Sequence, residues 1–371
     1  MPDKPARQHG EYPLAALSPD AVAEVQLPAD PLGPTLAFFV ERLNFRIESI
    51  FPAEDPRVAT LSGHRLRLRL SPDGGDPGHI RLICQDPGPP DARVLVAPNG
   101  TLIERVEADP PVEVPAFRPE FLVTRRSDGP PDVEGRAGMV YRDLIPGRLG
   151  GRYIASHISI PGGGPVADWP HFHKVRFQMI LCARGWVRVV YEDQGPPFVL
   201  GAGDCVLQPP GIRHQVLESS PGLDVVEIGC PALHETLADH DIELPTKALR
   251  PERDFAGQVF LRHIAAETPW RAWGETGFER RETGMAAASG GLADARVLRP
   301  AGAAAFTEGG HHGELQFGFL LEGRAVLECE GSHPLGPCDA FVIPPGEAWG
   351  LRECSKDLML LEVVSPASEF R

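Results

Sequence analysis

Residues 164–185 read GPVADWPHFHKVRFQMILCARG, and residues 203–214 read GDCVLQPPGIRH. Side chains alternate between the two faces of a β-strand, so His171 and His173 are predicted to project to the same side. His214 follows a Pro-Pro-Gly turn and is expected on another strand. Three imidazoles that converge from two strands can bind one metal ion and leave positions open for water, O₂ or substrate. The stretch therefore predicts turn-connected strands that hold a three-histidine metal site.

The same pattern recurs further along the chain. Three residues of the first segment, His173, Gln178 and Gly185, reappear 138 residues later as His311, Gln316 and Gly323. A second set of five residues recurs at an offset of 135. Its members are Asp204, Pro209, Gly211, Glu227 and Pro231, which reappear as Asp339, Pro344, Gly346, Glu362 and Pro366. Self-similarity at a fixed offset indicates duplication. The sequence therefore contains two similar β units, and the second has a three-residue deletion.

The segments around the first histidines are similar to the paired signature of the cupin superfamily, G-x5/6-H-x-H-x4-E-x6-G followed by G-x5-P-x-G-x2-H. This resemblance implies two double-stranded β-helix barrels in tandem, at residues 138–245 and 246–371. It implies a divalent metal held by His171, His173, His214 and the residue at position 178. The family carboxylate at that position is Gln178 here. A neutral amide leaves the ion its full 2+ charge, and Gln178 either binds the metal or orients substrate or water beside it.

Ligand type favours Fe(II) as the ion, with Mn(II), Ni(II) and Zn(II) as alternatives. The competing interpretation is a metal-free barrel with three hydrogen-bonded histidines, and the loss of the family carboxylate supports it. Burial of three imidazoles without partners is costly, however, so the metal site is the favoured interpretation.

The second unit reads GGHHGELQ over residues 309–316. Gly309 is expected at the position of the first histidine, and Trp349 stands at the position of the last. Only His311 and Gln316 remain in register. Two ligands make a poor metal site, so the second barrel is predicted to be degenerate and structural, with its mouth filled by Trp349.

Two arginines flank the metal motifs. Arg176 and Arg213 could each clamp a substrate carboxylate through two hydrogen bonds, although either one could equally be a solvated loop charge. Together with Gln178 they form the predicted set of catalytic residues.

The N-terminal part has a different pattern. Residues 1–20 are expected to be a tail. Within residues 21–88 the order strand, helix and three strands is predicted, and residues 64–70 (HRLRLRL) alternate between leucine and arginine. The stretch at residues 36–70 resembles one βαβββ module of the vicinal oxygen chelate (glyoxalase-like) family. Ala23 or Glu24 stands where that family offers a metal-binding histidine, so this module is predicted to be structural or dimer-forming.

Residues 89–137 hold three proline-rich patches and are predicted to form a linker. The chain has 40 Gly and 40 Pro among 371 residues, which favours short strands and tight turns over long helices. The predicted fold class is thus mainly β, with two tandem barrels preceded by a small α+β module.

The net charge and the cysteine content limit which partners and which cellular compartment are expected. The net charge of −15 opposes contact with nucleic acid or with an anionic membrane. Seven cysteines without a C-x-x-C pair indicate reduced thiols, and residues 1–13 show no hydrophobic signal segment. A cytoplasmic location is expected. Cupins commonly pair through their sheets, so a homodimer is expected as well.

The resemblance implies a mononuclear metal-dependent enzyme. We expect an Fe(II) dioxygenase that cleaves a C–C bond in a small chelating substrate, such as an enol, a catechol-like compound or a 2-hydroxy acid, with O₂ as the second substrate. Two alternatives remain open. One is a non-oxidative lyase or isomerase that uses Zn, Mn or Ni, and the other is a small-molecule-binding module without turnover.

Overall fold

The computed structural model describes residue 18, residues 20–127 and residues 132–366. The predicted tail, residues 1–20, lies outside these ranges apart from residues 18 and 20. The chain divides into two units, Met1–Pro111 and Val112–Arg371. Within the described ranges, no helix has the length and apolar character needed to cross a membrane.

The first unit contains two sheets. Its strands are β1 Val25–Pro28, β2 Arg46–Phe51, β3 Val58–Gly63, β4 Leu66–Ser71, β5 His79–Cys84, β6 Val94–Val96 and β7 Leu102–Glu107. Helix α1 spans Leu32–Ala37 and continues as a π-helical turn, Phe38–Arg42. The first sheet has the order β1-β4-β3-β2, with β1 parallel to β4, and the second has the order β5-β7-β6.

The leucine and arginine alternation of β4 behaves as predicted, because Leu68 and Leu70 are buried and Arg67 is exposed. Two details differ from the prediction. Strand β3 was not expected, and β5 does not join the first sheet but pairs with β7. Strands β6 and β7 come from the segment predicted to be a linker, where prolines obscure the short apolar runs.

The second unit contains both barrels. The strands that build the first barrel are β9 Val133–Glu134, β10 Val140–Asp143, β11 Ile154–Ile160, β12 Gly164–Pro165, β13 His171–His173, β14 Phe177–Arg184, β15 Trp186–Tyr191, β16 Phe198–Gly201, β17 Cys205–Leu207, β18 His214–Ser219, β19 Leu223–Cys230, β20 Thr236–Ala238 and β21 Leu261–His263. They form one sheet of order β21-β17-β14-β19-β11-β10-β9 and a facing sheet of order β16-β15-β18-β13-β20, in which β12 also pairs with β18.

The second barrel repeats this plan. Its strands are β8 Leu122–Thr124, β22 Arg271–Ala272, β23 Phe278–Glu282, β24 Asp294–Pro300, β25 Phe306–Glu308, β26 Leu315–Glu322, β27 Ala325–Glu328, β28 Ser332–Leu335, β29 Ala340–Val342, β30 Trp349–Arg352 and β31 Met359–Ser365. The larger sheet has the order β22-β23-β24-β31-β26-β29-β8, and the smaller has the order β25-β30-β27-β28. Helix α2, Met285–Ala288, precedes β24.

Each barrel includes an edge strand that lies outside the residue range predicted for it. Strand β8, from the predicted linker, pairs with β29 of the second barrel, and β21, from the segment assigned to the second barrel, pairs with β17 of the first. The larger sheets of the two barrels pack on each other through one apolar core, which includes Leu181, Val226, Phe317 and Val363.

Gly185 and Gly323 occupy equivalent turns in the two barrels, and both have φ of 76°. A side chain at either site would also clash with residues across the turn. The two barrels therefore share the backbone conformation of this turn as well as its glycine. The mainly β fold with two tandem barrels is confirmed.

Candidate metal centre in the first barrel

The three predicted histidines come together inside the first barrel. His171 and His173 lie on β13, and His214 begins β18 directly opposite His171. All three are at least nine-tenths buried. The ring of His214 lies 4.2 Å from that of His171 and 5.4 Å from that of His173. One ring nitrogen from each histidine lies within 4.8 Å of the others, as a single bound metal ion requires.

A backbone carbonyl group fixes the proton of each imidazole. The Nδ1 atoms donate to the carbonyl oxygens of Trp169 at 2.8 Å, Glu235 at 3.2 Å and Ile212 at 3.0 Å, for His171, His173 and His214 respectively. A carbonyl oxygen can only accept, so Nδ1 carries the proton and Nε2 presents a lone pair. Such hydrogen bonds orient histidine ligands in metal sites. The donor set therefore fits a divalent ion.

Burial keeps these imidazoles neutral. Desolvation lowers the pKa of His173 to about 3, and it lowers the pKa values of His171 and His214 as well. Metal binding needs the neutral form, so protons do not compete with the ion near neutral pH.

The histidines line a small internal cavity of about 80 Å³. Its polar end also holds Arg136, Gln178, Gln208 and Glu227. The rest of the wall consists of two tyrosines and ten aliphatic or methionine side chains, namely Tyr141, Tyr191, Met139, Ile158, Ile160, Ile180, Val187, Val189, Leu200, Val216, Leu223 and Val225. A dry wall with a few converging polar groups is typical of a small-molecule site.

Gln178 lines this cavity, but its amide is held by a carboxylate. Its Nε2 atom donates to Oε1 of Glu227 at 3.0 Å. Gln208, whose backbone N–H donates to the carbonyl oxygen of Gln178, donates from Nε2 to Nε2 of His214 at 2.9 Å. Glu227 and Gln208 were not predicted as site residues, although the conserved offset between Glu227 and Glu362 was a signal that could have drawn attention to the first.

Arg136 is the main functional candidate that the sequence did not reveal. Its Nη2 atom donates to Nε2 of His171 at 2.9 Å, and its Nη1 atom forms an ion pair with Asp168. Arg136 lies in the segment predicted to be a linker, and no spacing pattern connects it with the histidine motifs. The ring of His234 also lies 5.3 Å from that of His173, on the same side of the barrel.

The two arginines predicted as substrate anchors lie elsewhere. Arg213 pairs with Asp239 at 3.0 Å and stacks on the ring of Phe172. Arg176 lies 3.7 Å from Glu314 of the second barrel. Neither is among the residues that line the cavity.

Strand register corrects one assignment in the second barrel. Glu308, and not Gly309, lies opposite Trp349 in the way that His171 lies opposite His214. The strand ends at Glu308, and the following glycines add one residue before His311. Trp349 is buried against Phe306 and Phe341, as predicted for a filled barrel mouth.

A buried guanidinium occupies the interior of this second barrel. Arg296 forms ion pairs with Glu362 and, at 3.2 Å, with Glu308. Gln316 donates to Glu362 just as Gln178 donates to Glu227. Burial and the neighbouring Glu362 carboxylate raise the pKa of Glu308 to about 7. The cationic group inside the second barrel is therefore the side chain of Arg296.

The paired barrels and the histidine cluster define a tandem cupin fold. Among solved structures, a mutant of the oxalate decarboxylase from Bacillus subtilis is similar, with a TM-score of 0.50 and 12% identity over 70% of this chain and 79% of that one. The structure of that decarboxylase at pH 4.6 gives a TM-score of 0.48 and 13% identity over 68% of this chain and 77% of that one. At such identities the similarity establishes the fold and not the activity.

Two further comparisons gave no result. No protein-family model matches the chain, and no curated protein sequence matches it.

The buried imidazoles predict an acid-sensitive metal-free protein. Free histidine titrates near pH 6.5, so between about pH 6.5 and pH 3 the unfolded chain binds protons that the folded chain excludes. The free energy of unfolding should therefore fall as the pH falls through this window. We expect His173→Ala to flatten that decline in urea unfolding with a chelator present. An unchanged slope would contradict the lowered pKa of His173.

Proposed function

We propose that the first barrel is the active site of a mononuclear metal-dependent enzyme, a dioxygenase that uses Fe(II) and O₂ to cleave a C–C bond in a small chelating substrate. The observation that carries the proposal is the set of three buried, neutral imidazoles whose Nδ1 protons are held by backbone carbonyl groups. Their unprotonated nitrogens converge at the polar end of an otherwise apolar cavity.

Three neutral ligands leave a bound ion with its full charge and with open positions. An ion of this kind binds an anionic bidentate substrate and polarises it, and Fe(II) also supplies the redox chemistry that O₂ requires. His171, His173 and His214 would hold the ion. Gln178, fixed by Glu227, would orient water or substrate beside it, and the aliphatic wall would exclude bulk water.

A second candidate is a non-oxidative lyase or isomerase that uses Mn, Ni or Zn. The similarity in fold to an oxalate decarboxylase favours it, because that enzyme's name describes the release of CO₂ from a carboxylate. The two candidates share the metal site and differ in their need for O₂. A homodimer, a cytoplasmic location and a glyoxalase-like character of the first unit stay predictions.

Elemental analysis of the protein as expressed, followed by O₂ uptake with catechol, gentisate-like and diketone substrates, tests the proposal. We expect one Fe per chain and O₂ consumption with at least one substrate. Zinc or manganese without O₂ consumption would favour the non-oxidative candidate. A chain that retains no divalent metal after loading and desalting would exclude both.

A further inference from the structure

We propose that Arg136 is the substrate-anchoring residue of the first barrel and that the substrate is a small monocarboxylate with an apolar body, not a dicarboxylate. The inference deepens the proposed function and rests on a metal ion held by the three histidines. Three features carry it, which are the position of Arg136, the composition of the cavity wall and the size of the cavity.

The guanidinium of Arg136 lies at the mouth of the metal site. Its Nη2 atom donates to Nε2 of His171 at 2.9 Å, and an ion bound at that nitrogen would take the same lone pair and release the N–H of Arg136. A carboxylate bound to an ion held at that nitrogen would lie within reach of the guanidinium. Arginine offers two parallel N–H donors that match a carboxylate, so it is suited to hold such a group.

Asp168 fixes Arg136 in this place. The Asp168 carboxylate is fully buried, and it pairs with Nη1 of Arg136 and accepts the backbone N–H of Val216 at 3.0 Å. Arg136 itself keeps about a quarter of its side chain exposed (28%). Arg136 is therefore held at Nη1 whether or not an ion displaces Nη2 from His171, and it lines the cavity, which lowers the entropy lost when a ligand binds.

The remainder of the wall argues against a second negative charge on the substrate. Arg136 is the only lysine or arginine among the described residues that line the cavity, and beyond it and the three histidines the ionisable side chains there are Glu227, Tyr141 and Tyr191, none of which is a cation. Ten aliphatic or methionine side chains form most of the surface. A second carboxylate would lose its hydration and meet no cation, so a dianion such as oxalate fits poorly.

The size of the cavity limits the substrate to a short molecule. About 80 Å³ corresponds to the space of roughly six water molecules, if one water needs on the order of 10–15 Å³. A carboxylate with an adjacent oxo or hydroxy oxygen would occupy the polar end. A short branched chain would then fill the space between the isoleucine and valine side chains.

Calorimetry on Mn²⁺-loaded protein tests the inference without turnover. The probes are 4-methyl-2-oxopentanoate, the same molecule with an amide in place of the carboxylate, and oxalate. Wild type should bind the oxo acid about 10-fold or more tightly than either of the others. Arg136→Leu should lower the affinity for the oxo acid by about 10- to 100-fold, should not change the affinity for the amide, and should retain Mn²⁺.

Controls separate this inference from its rivals. Arg188→Leu, which removes a surface arginine paired with Glu218 on the same barrel, should bind the oxo acid as wild type does. If Arg136→Leu does not fold because Asp168 is left unpaired, Arg136→Lys keeps the charge, loses the paired donors and should show an intermediate affinity. Loss of affinity in Arg213→Leu but not in an Arg136 variant would overturn the proposal.

The failures of the two proposals differ. A wild-type chain that holds no Mn²⁺ contradicts the metal-dependent function itself. A wild-type chain that holds Mn²⁺ but prefers oxalate, or binds none of the probes, contradicts only the assigned substrate class.

Discussion

We expect His173→Ala to abolish metal binding and activity. His173 is one of three imidazoles whose nitrogens lie within 4.8 Å of one another, and its removal leaves two ligands. Loss of a group that only orients a ligand typically lowers metal affinity about 10- to 100-fold, so loss of a ligand should exceed that range. The measurement is metal content after dialysis against a weak chelator, together with turnover of whichever substrate proves active.

The duplicated fold offers a matched control for this variant. His311 is the counterpart of His173 in the second barrel, and its Nε2 atom donates to the carbonyl oxygen of Ile343 at 2.8 Å. The proton of His311 therefore lies on Nε2, whereas Nε2 of His173 is unprotonated. His311→Ala should keep the metal content and activity of wild type. Equal losses in the two variants would show that the first barrel is not the metal centre.

The sequence was sufficient to predict the histidine site because the relevant signals are local. Alternation along a strand places His171 and His173 on one face, and a Pro-Pro-Gly turn brings His214 opposite them. The repeat was equally visible, since a tight turn at Gly185 needs a positive φ that glycine adopts readily. Signals of this kind depend on neighbours in the chain and do not require knowledge of distant contacts.

The features that were missed depend on contacts between distant segments. Arg136 reaches His171 from a proline-rich stretch, and no periodicity marks an isolated arginine. Strands β6 and β8 were hidden because each spans three residues of a proline-rich segment, and β7 was hidden because the Pro110-Pro111 pair follows it closely. The assignment of Gly309 was wrong because constant spacing does not detect one extra residue before His311.

The two barrels differ in the residue that lies opposite a glutamate on the central strand of the larger sheet. Each contains a glutamine that donates to a glutamate on the neighbouring strand. Opposite that glutamate the first barrel has Ser156, whereas the second has Arg296. Serine is smaller than arginine and carries no charge, so the first barrel has no guanidinium at the position opposite Glu227. In the second barrel the Arg296 guanidinium lies beside the Glu362 and Glu308 carboxylates and forms ion pairs with both.

This contrast leads to the second large expected effect. Glu362 is fully buried and accepts hydrogen bonds from Arg296 and Gln316. Glu362→Gln keeps the shape of the side chain but removes the carboxylate charge that pairs with Arg296 in the buried interior of the barrel. Because a hydrogen bond to a charged group is worth about 1.5–3 kcal/mol, we expect the free energy of unfolding to fall by about that amount, with Glu308 still balancing the guanidinium charge. Urea unfolding of the metal-free protein measures it.

Two companion variants show whether the buried charge is the cause. Glu227→Gln makes the same substitution in the first barrel, where no arginine is paired with the carboxylate, and should cost about 1 kcal/mol. Arg296→Met combined with Glu362→Gln removes both charges, and Glu308, whose pKa is already raised to about 7, can then take up a proton, so the double variant should recover much of the stability lost in Glu362→Gln alone. If the double variant is instead less stable than Glu362→Gln, then packing of the Arg296 side chain against Trp273 outweighs its charge, and the second barrel is held by shape and not by an internal cation.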